Sequence, residues 1–163
     1  MVIIWMDLLV FLTSKGNVRV VKQTEEFMTL IAFFQQIGMP YQLTSLSGAN
    51  FLPGLQIQNG CLLIDPDKLS YPGDCLHEAG HIAVTTSAKR TELQADVRKS
   101  GHGPADEMAA IAWSWAALLH LKLPPEFLFH AEGYKGGSEA YIAAFSSGGG
   151  FGYPLLSWYG MCE

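Results

Sequence analysis

The sequence predicts an α+β domain, and three observations predict it. An apolar stripe of helical period runs from Thr24 to Ile37, two short apolar runs flank Asn59-Gly60, and two further helical stretches occupy Cys75 to Val84 and Pro104 to Leu121. At 163 residues, 49% hydrophobic and 15% charged, the chain can bury a core as one domain, residues 1–163, without disulfide staples. So apolar a composition also predicts a surface patch suited to self-association into a homo-oligomer.

The first twelve residues, Met1 to Leu12, are apolar but have no basic residue ahead of the run and contain Asp7. That is neither a signal peptide nor enough to span a bilayer. Residues 1–20 are therefore expected to be a peripheral apolar segment packed on the core or a partner, with an overlong gene start as the alternative reading.

Between Thr24 and Ile37, Phe27, Leu30, Ile31 and Phe34 share one helical face, and Gly38 followed by Pro40 stops the helix. A loop rich in Ser, Gly and Asn leads to Leu55-Gln56-Ile57-Gln58 and Cys61-Leu62-Leu63-Ile64. Asn59-Gly60 between them predicts a two-residue hairpin turn, because both positions need positive φ. Asp65-Pro66 ends the second strand. Tyr71-Pro72-Gly73-Asp74 is turn chemistry, with Asp74 expected to cap a helix from Cys75 to Val84.

Thr85 to Gly103 is polar and charged and reads as an exposed connection with a helical turn. Pro104 suits a first helical position, Asp106 and Glu107 a first turn, and His120 and Lys122 a last turn, so a long helix spans Pro104 to Leu121 and Pro124-Pro125 closes it. The remainder combines glycine runs with aromatic residues. Those aromatics are expected either to fold over a cleft or to pack in the core, and Trp113 and Trp115 to be core or interface residues. Cys75 is expected to be a packing residue.

A net charge of −5 removes the basic footprint that nucleic acid or anionic lipid would need. Neither is an expected partner. Three cysteines, Cys61, Cys75 and Cys162, form no disulfide framework and point to a cytoplasmic protein.

His77-Glu78-Ala79-Gly80-His81 carries the chemistry. Histidines four apart lie on one face of a helix a turn apart, so both imidazoles can reach one ion while Glu78 stands beside the open position. Imidazole and carboxylate donors suit Zn²⁺. The pattern arises by chance on the order of a few times per thousand chains of this length. Here it also sits just after a helix-cap signal and has small or apolar neighbours around it. Glu78 is the expected general base.

Two histidines do not complete a catalytic zinc site. A histidine six residues after His81 is excluded, because Ser87 stands there. Glu107 is the expected third ligand: it opens a helix whose Ala109, Ala110, Ala112, Ala116 and Ala117 allow close helix approach, matched by Gly80 on the other side. Glu92, Asp96 and His102 are the alternatives, and a first-turn carboxylate stabilised by the helix dipole is the plain reading of Glu107.

His77 to His81 followed by Glu107-Met108-Ala109-Ala110-Ile111-Ala112-Trp113 resembles the gluzincin arrangement, in particular the minimal ImmA/IrrE-type metallopeptidases. From the hairpin to Pro125, about half the chain is covered by this resemblance. It implies a minimal zincin-like fold, in which the motif helix and a second ligand-bearing helix pack against a small β-sheet whose edge strand lies beside the substrate. It also implies peptide-bond hydrolysis of a peptide or protein substrate. Ile111 departs from the pattern, since many gluzincins place there an aspartate that orients a histidine, so that support must come from elsewhere.

An oxyanion formed during hydrolysis needs a donor besides the metal, and His130 or Tyr134 is the expected one. The expectation is thus a cytoplasmic zinc metallopeptidase. The alternatives are a zinc-binding interaction module without catalysis and a zinc amidase acting on a small molecule.

Overall fold

The computed structural model describes residues 4–5, 8–12, 18–21, 24–48 and 50–162, the first three segments as backbone only. Ile4–Trp5 (β1), Leu8–Leu12 (β2) and Val18–Val21 (β3) form an antiparallel sheet in chain order. The packing role expected of the side chains of Met1 to Leu12 lies outside the described residues.

Helix α1 (Glu25–Ile37) follows the expected stripe. Thr24 Oγ1 accepts from the Phe27 backbone N–H, and Gly38 closes the helix in the left-handed region at φ 67°. Phe27, Leu30, Ile31, Phe33 and Phe34 are buried. Directly after it, Tyr41–Leu43 (β4) pairs parallel with β6 (Cys61–Ile64), which pairs antiparallel with β5 (Leu55–Gln58). Asn59 and Gly60 both have positive φ, 51° and 71°, as the hairpin turn requires. Sheet order is β4-β6-β5, so β5 is an edge. Its alternate residues Leu55 and Ile57 enter the core.

Helix α2 (Asp74–Val84) lies on the β5–β6 hairpin and packs along α3 (Pro104–Leu121). Gly80 is where the two helices close: a Cβ there would sit 2.5 Å from the Ala110 carbonyl oxygen and 2.7 Å from Ser114 Oγ. Ser114, fully buried on α3, donates within its own helix to the Ala110 carbonyl at 2.7 Å and lies 2.9 Å from the Leu76 carbonyl of α2. Ala109, Ala110, Ala112 and Ala117 are buried in this region, whereas Ala116 is exposed.

Helices α4 (Pro125–Leu128), α5 (Ser138–Ser146) and α6 (Tyr153–Trp158) give the glycine-rich tail more regular structure than its sequence predicts. Two of its aromatics go to the core, whereas Trp158 is exposed. Phe129 and Phe145 are nearly fully buried, with ring centroids 5.8 and 5.4 Å from Trp115 of α3. Trp115 is thus a core residue and Trp113 packs half-buried beside Phe33. A groove of about 430 Å³ between α1, α3 and α6 is bordered by Ile37, Trp113 and Met161. No helix among the described residues is long and apolar enough to cross a membrane.

Candidate metal centre

The helical spacing of His77 and His81 puts their Nε2 atoms 3.3 Å apart, with the rings at 85° to one another. Across the helix pair, α3 presents Glu107, whose two carboxylate oxygens lie 3.4 Å from His77 Nε2 and 3.3 Å from His81 Nε2. Three donor groups therefore stand at mutual distances of 3.3–3.4 Å. Metal–ligand bonds of 2.0–2.1 Å at a tetrahedral angle require an edge of roughly 3.3 Å. That spacing is compatible with a small ion held between the three groups.

His77, Glu78 and His81 form a group that can hold a metal ion, their donor atoms all lying within 4.8 Å of one another. His81 is buried at 2% exposure and His77 is half-buried. Burial, and then the neighbouring His81, push the His77 imidazole down from its ordinary range despite the pull of Glu107. It is therefore neutral at physiological pH, the form that donates to a metal. Contact with His81 holds the Glu107 carboxyl below its ordinary value, against its own partial burial.

Glu78 is pushed by burial up to about 7, with Asp74 and Glu107 adding to the rise and His81 opposing it. The carboxyl stands where a proton can be taken or released near neutral pH. It lines a cavity of about 170 Å³ bounded by Leu55 and Gln56 of the β5 edge, Asn50 to Leu52, and Ala95. Phe51, at 98% exposure, stands at this wall. The loop before it is anchored by the buried Asp65, whose Oδ2 accepts from the Leu46 N–H at 2.9 Å.

Asp74 does not cap α2. It lies inside the first turn, Gly73 takes the cap position, and its carboxylate is 3.0 Å from His130 Nε2. The physical reason is that the first N–H groups of the helix, those of Cys75 and Leu76, already bond to the Pro72 and Gly73 carbonyls, so the carboxylate turns to the imidazole instead. Burial raises the Asp74 pKa and His130 opposes the rise. His130 is stacked flat on Tyr71 at 3.8 Å, and its Nδ1 is buried without a hydrogen-bond partner among the described residues.

Tyr134 also stands at the site. Tyr134 and Lys135 both adopt left-handed φ, 52° and 55°, a conformation that costs about 1–2 kcal/mol per non-glycine residue. The ring is held edge-on 4.8 Å from Phe129 and 5.8 Å from His77. Burial first, then the nearby carboxylates of Asp74 and Glu107, raise its pKa, so the hydroxyl keeps its proton.

Of the alternative ligands, Asp96 is exposed and paired with Arg98 and Lys99 at 3.6 Å, and Glu92 is exposed in the 3₁₀ turn Arg90–Glu92. His102 does reach the site, its Nδ1 lying 3.1 Å from His81 Nδ1. Sequence reasoning missed Thr85, whose hydroxyl donates to the His81 carbonyl at 2.7 Å; its place four residues after His81, at a helix end, was the available signal. Cys75 is fully buried and burial pushes its thiol well up, as a packing residue requires. No family model, no curated protein and no solved structure matches this chain.

Proposed function

We propose that the chain is a zinc-dependent hydrolase acting on peptide bonds. The observation that carries the reading is the spacing of His77, His81 and Glu107 at a tetrahedral edge, with Glu78 beside them and lining a cavity. His77, His81 and Glu107 would hold Zn²⁺, since imidazole and carboxylate donors in this ratio suit it. Bound there, the ion would supply Lewis acidity and lower the pKa of a water toward about 7.

The chain's own residues supply the rest. Glu78 accepts the proton of the attacking water and passes it to the leaving amine, a task its raised pKa suits. Tyr134, protonated throughout the working range, donates to the oxyanion. His130 acts through Asp74, which it holds beside Glu78. Leu55 and Gln56 of β5 wall the cavity beside Glu78, and side-chain contacts along that wall would hold a peptide, since the Leu55 N–H is already taken by the Leu52 carbonyl.

The test compares zinc content and peptide-library cleavage in the wild type and Glu78→Gln. The reading expects zinc in both and cleavage in the wild type only. Zinc in both with cleavage in neither would favour an interaction module built on the same site.

A further inference from the structure

His81 is the imidazole of the pair whose second ring nitrogen is engaged. Its Nε2 faces His77 and Glu107, while its Nδ1 lies 3.1 Å from His102 Nδ1. His102 Nε2 lies 2.7 Å from Thr85 Oγ1, and that hydroxyl lies 2.7 Å from the His81 backbone carbonyl. These contacts close a ring: His81 side chain, His102, Thr85, His81 backbone.

One member of the ring can only accept, and it decides the direction of every other bond. The carbonyl oxygen has no proton, so the Thr85 hydroxyl directs its single hydrogen there. His102 Nε2 must then donate to Thr85 Oγ1, which leaves a neutral His102 bare at Nδ1. Two bare nitrogens 3.1 Å apart repel, so His81 carries its proton on Nδ1 and gives it to His102. His81 Nε2 is the nitrogen turned to the corner shared with His77 and Glu107, and without a cation it shares a proton with the Glu107 carboxylate 3.3 Å away.

We propose that His102 is a positioning residue for this centre: with Thr85 it holds the proton of His81 Nδ1 and so turns Nε2 to the site, where a divalent cation can take the place of the proton shared with Glu107. The consequence for metal affinity rests on the metal reading above; the Nδ1 proton does not. The fold builds the device at little expense. His102 is fixed by its backbone N–H, which donates to the Val97 carbonyl at 3.0 Å, and stands directly before Gly103, the cap of α3. The same helix start thus delivers Glu107 to one side of His81 and His102 to the other. Ile111, where the resemblance would place an orienting aspartate, is buried apolar core. Outer hydrogen-bond partners of this kind typically set ligand orientation and metal affinity.

Long-range proton–nitrogen NMR correlation on the metal-stripped full chain reads the tautomer directly. A proton on His81 Nδ1 is expected, with or without a second proton on Nε2 facing Glu107; a proton on Nε2 with Nδ1 bare overturns the proposal. In chelator competition with zinc, His102→Phe is expected to lose affinity about 10- to 100-fold. Thr85→Val, which keeps shape and removes the hydroxyl, should fall between it and the wild type. His102→Gln, whose amide oxygen can accept from His81 Nδ1, should recover most of the loss. Equal affinity in the wild type, His102→Phe and Thr85→Val overturns the positioning role. A wild type that shows the Nδ1 proton yet takes up no zinc sinks the metal reading and leaves the Nδ1 assignment standing.

Discussion

Gly80 of α2 and Ala110 of α3 approach so closely that a Cβ on Gly80 would stand 2.5 Å from the Ala110 carbonyl oxygen. The obstructing atom is backbone, which cannot rotate away, so Gly80→Ala must push the helices apart. Overpacking of this kind costs typically about 1–3 kcal/mol. Urea denaturation should show that loss. Because Glu107 rides on α3 and the histidines on α2, zinc affinity should fall in the same variant.

Glu78 gives a pH prediction for the metal-stripped protein. Its folded pKa, about 7, lies above its ordinary value of 4.5, so between those pH values the folded state holds more of the proton than the unfolded state. Stability contributed by this group is present below the ordinary value and is lost as pH rises to about 7. Glu78→Gln lacks that loss. It should match the wild type near pH 4 and exceed it at pH 8 by on the order of 3 kcal/mol in thermal or urea denaturation. Cleavage, where measured with zinc present, should fall about 100- to 10,000-fold in the same variant.

Glu107 and Asp96 separate a ligand from a surface carboxylate. Glu107→Ala removes one corner of the donor triangle, and its zinc affinity should drop beyond the roughly 10- to 100-fold that an outer hydrogen-bond partner commands. Asp96→Ala breaks only exposed pairs with Arg98 and Lys99 and should leave zinc affinity unchanged. Equal effects of the two substitutions would remove Glu107 from the site.

His130→Phe keeps a ring against Tyr71 and strips Asp74 of its partner. A half-buried carboxylate left unpaired should cost about 1–3 kcal/mol at neutral pH. The cost should shrink at acid pH, where Asp74 is protonated in both proteins. Denaturation at the two pH values checks it.

Much of this architecture is legible in the residues because local chemistry determines it. Thr24 and Gly38 bound α1, Asn59-Gly60 makes the hairpin, and Pro104 opens α3, each through a backbone requirement that few other residues meet. What is not legible depends on distant partners. Tyr41–Leu43 is too short to declare itself and becomes a strand only by pairing with β6. The tail's helices form under aromatics that pack on Trp115. At the site, the motif announces His77, Glu78 and His81, and the cap pattern of α3 points to Glu107. The link from His102 through Thr85 back to His81 exists only once the connection from Thr85 to Gly103 has folded over the end of α2. Asp74 follows the same rule, since its partner His130 lies 56 residues away.

The most direct measurement is metal content by elemental analysis after dialysis against zinc, for the wild type and His81→Ala. The account predicts about one zinc ion per wild-type chain and far less in the variant. A wild type that retains no metal, or a variant that retains as much, would contradict it.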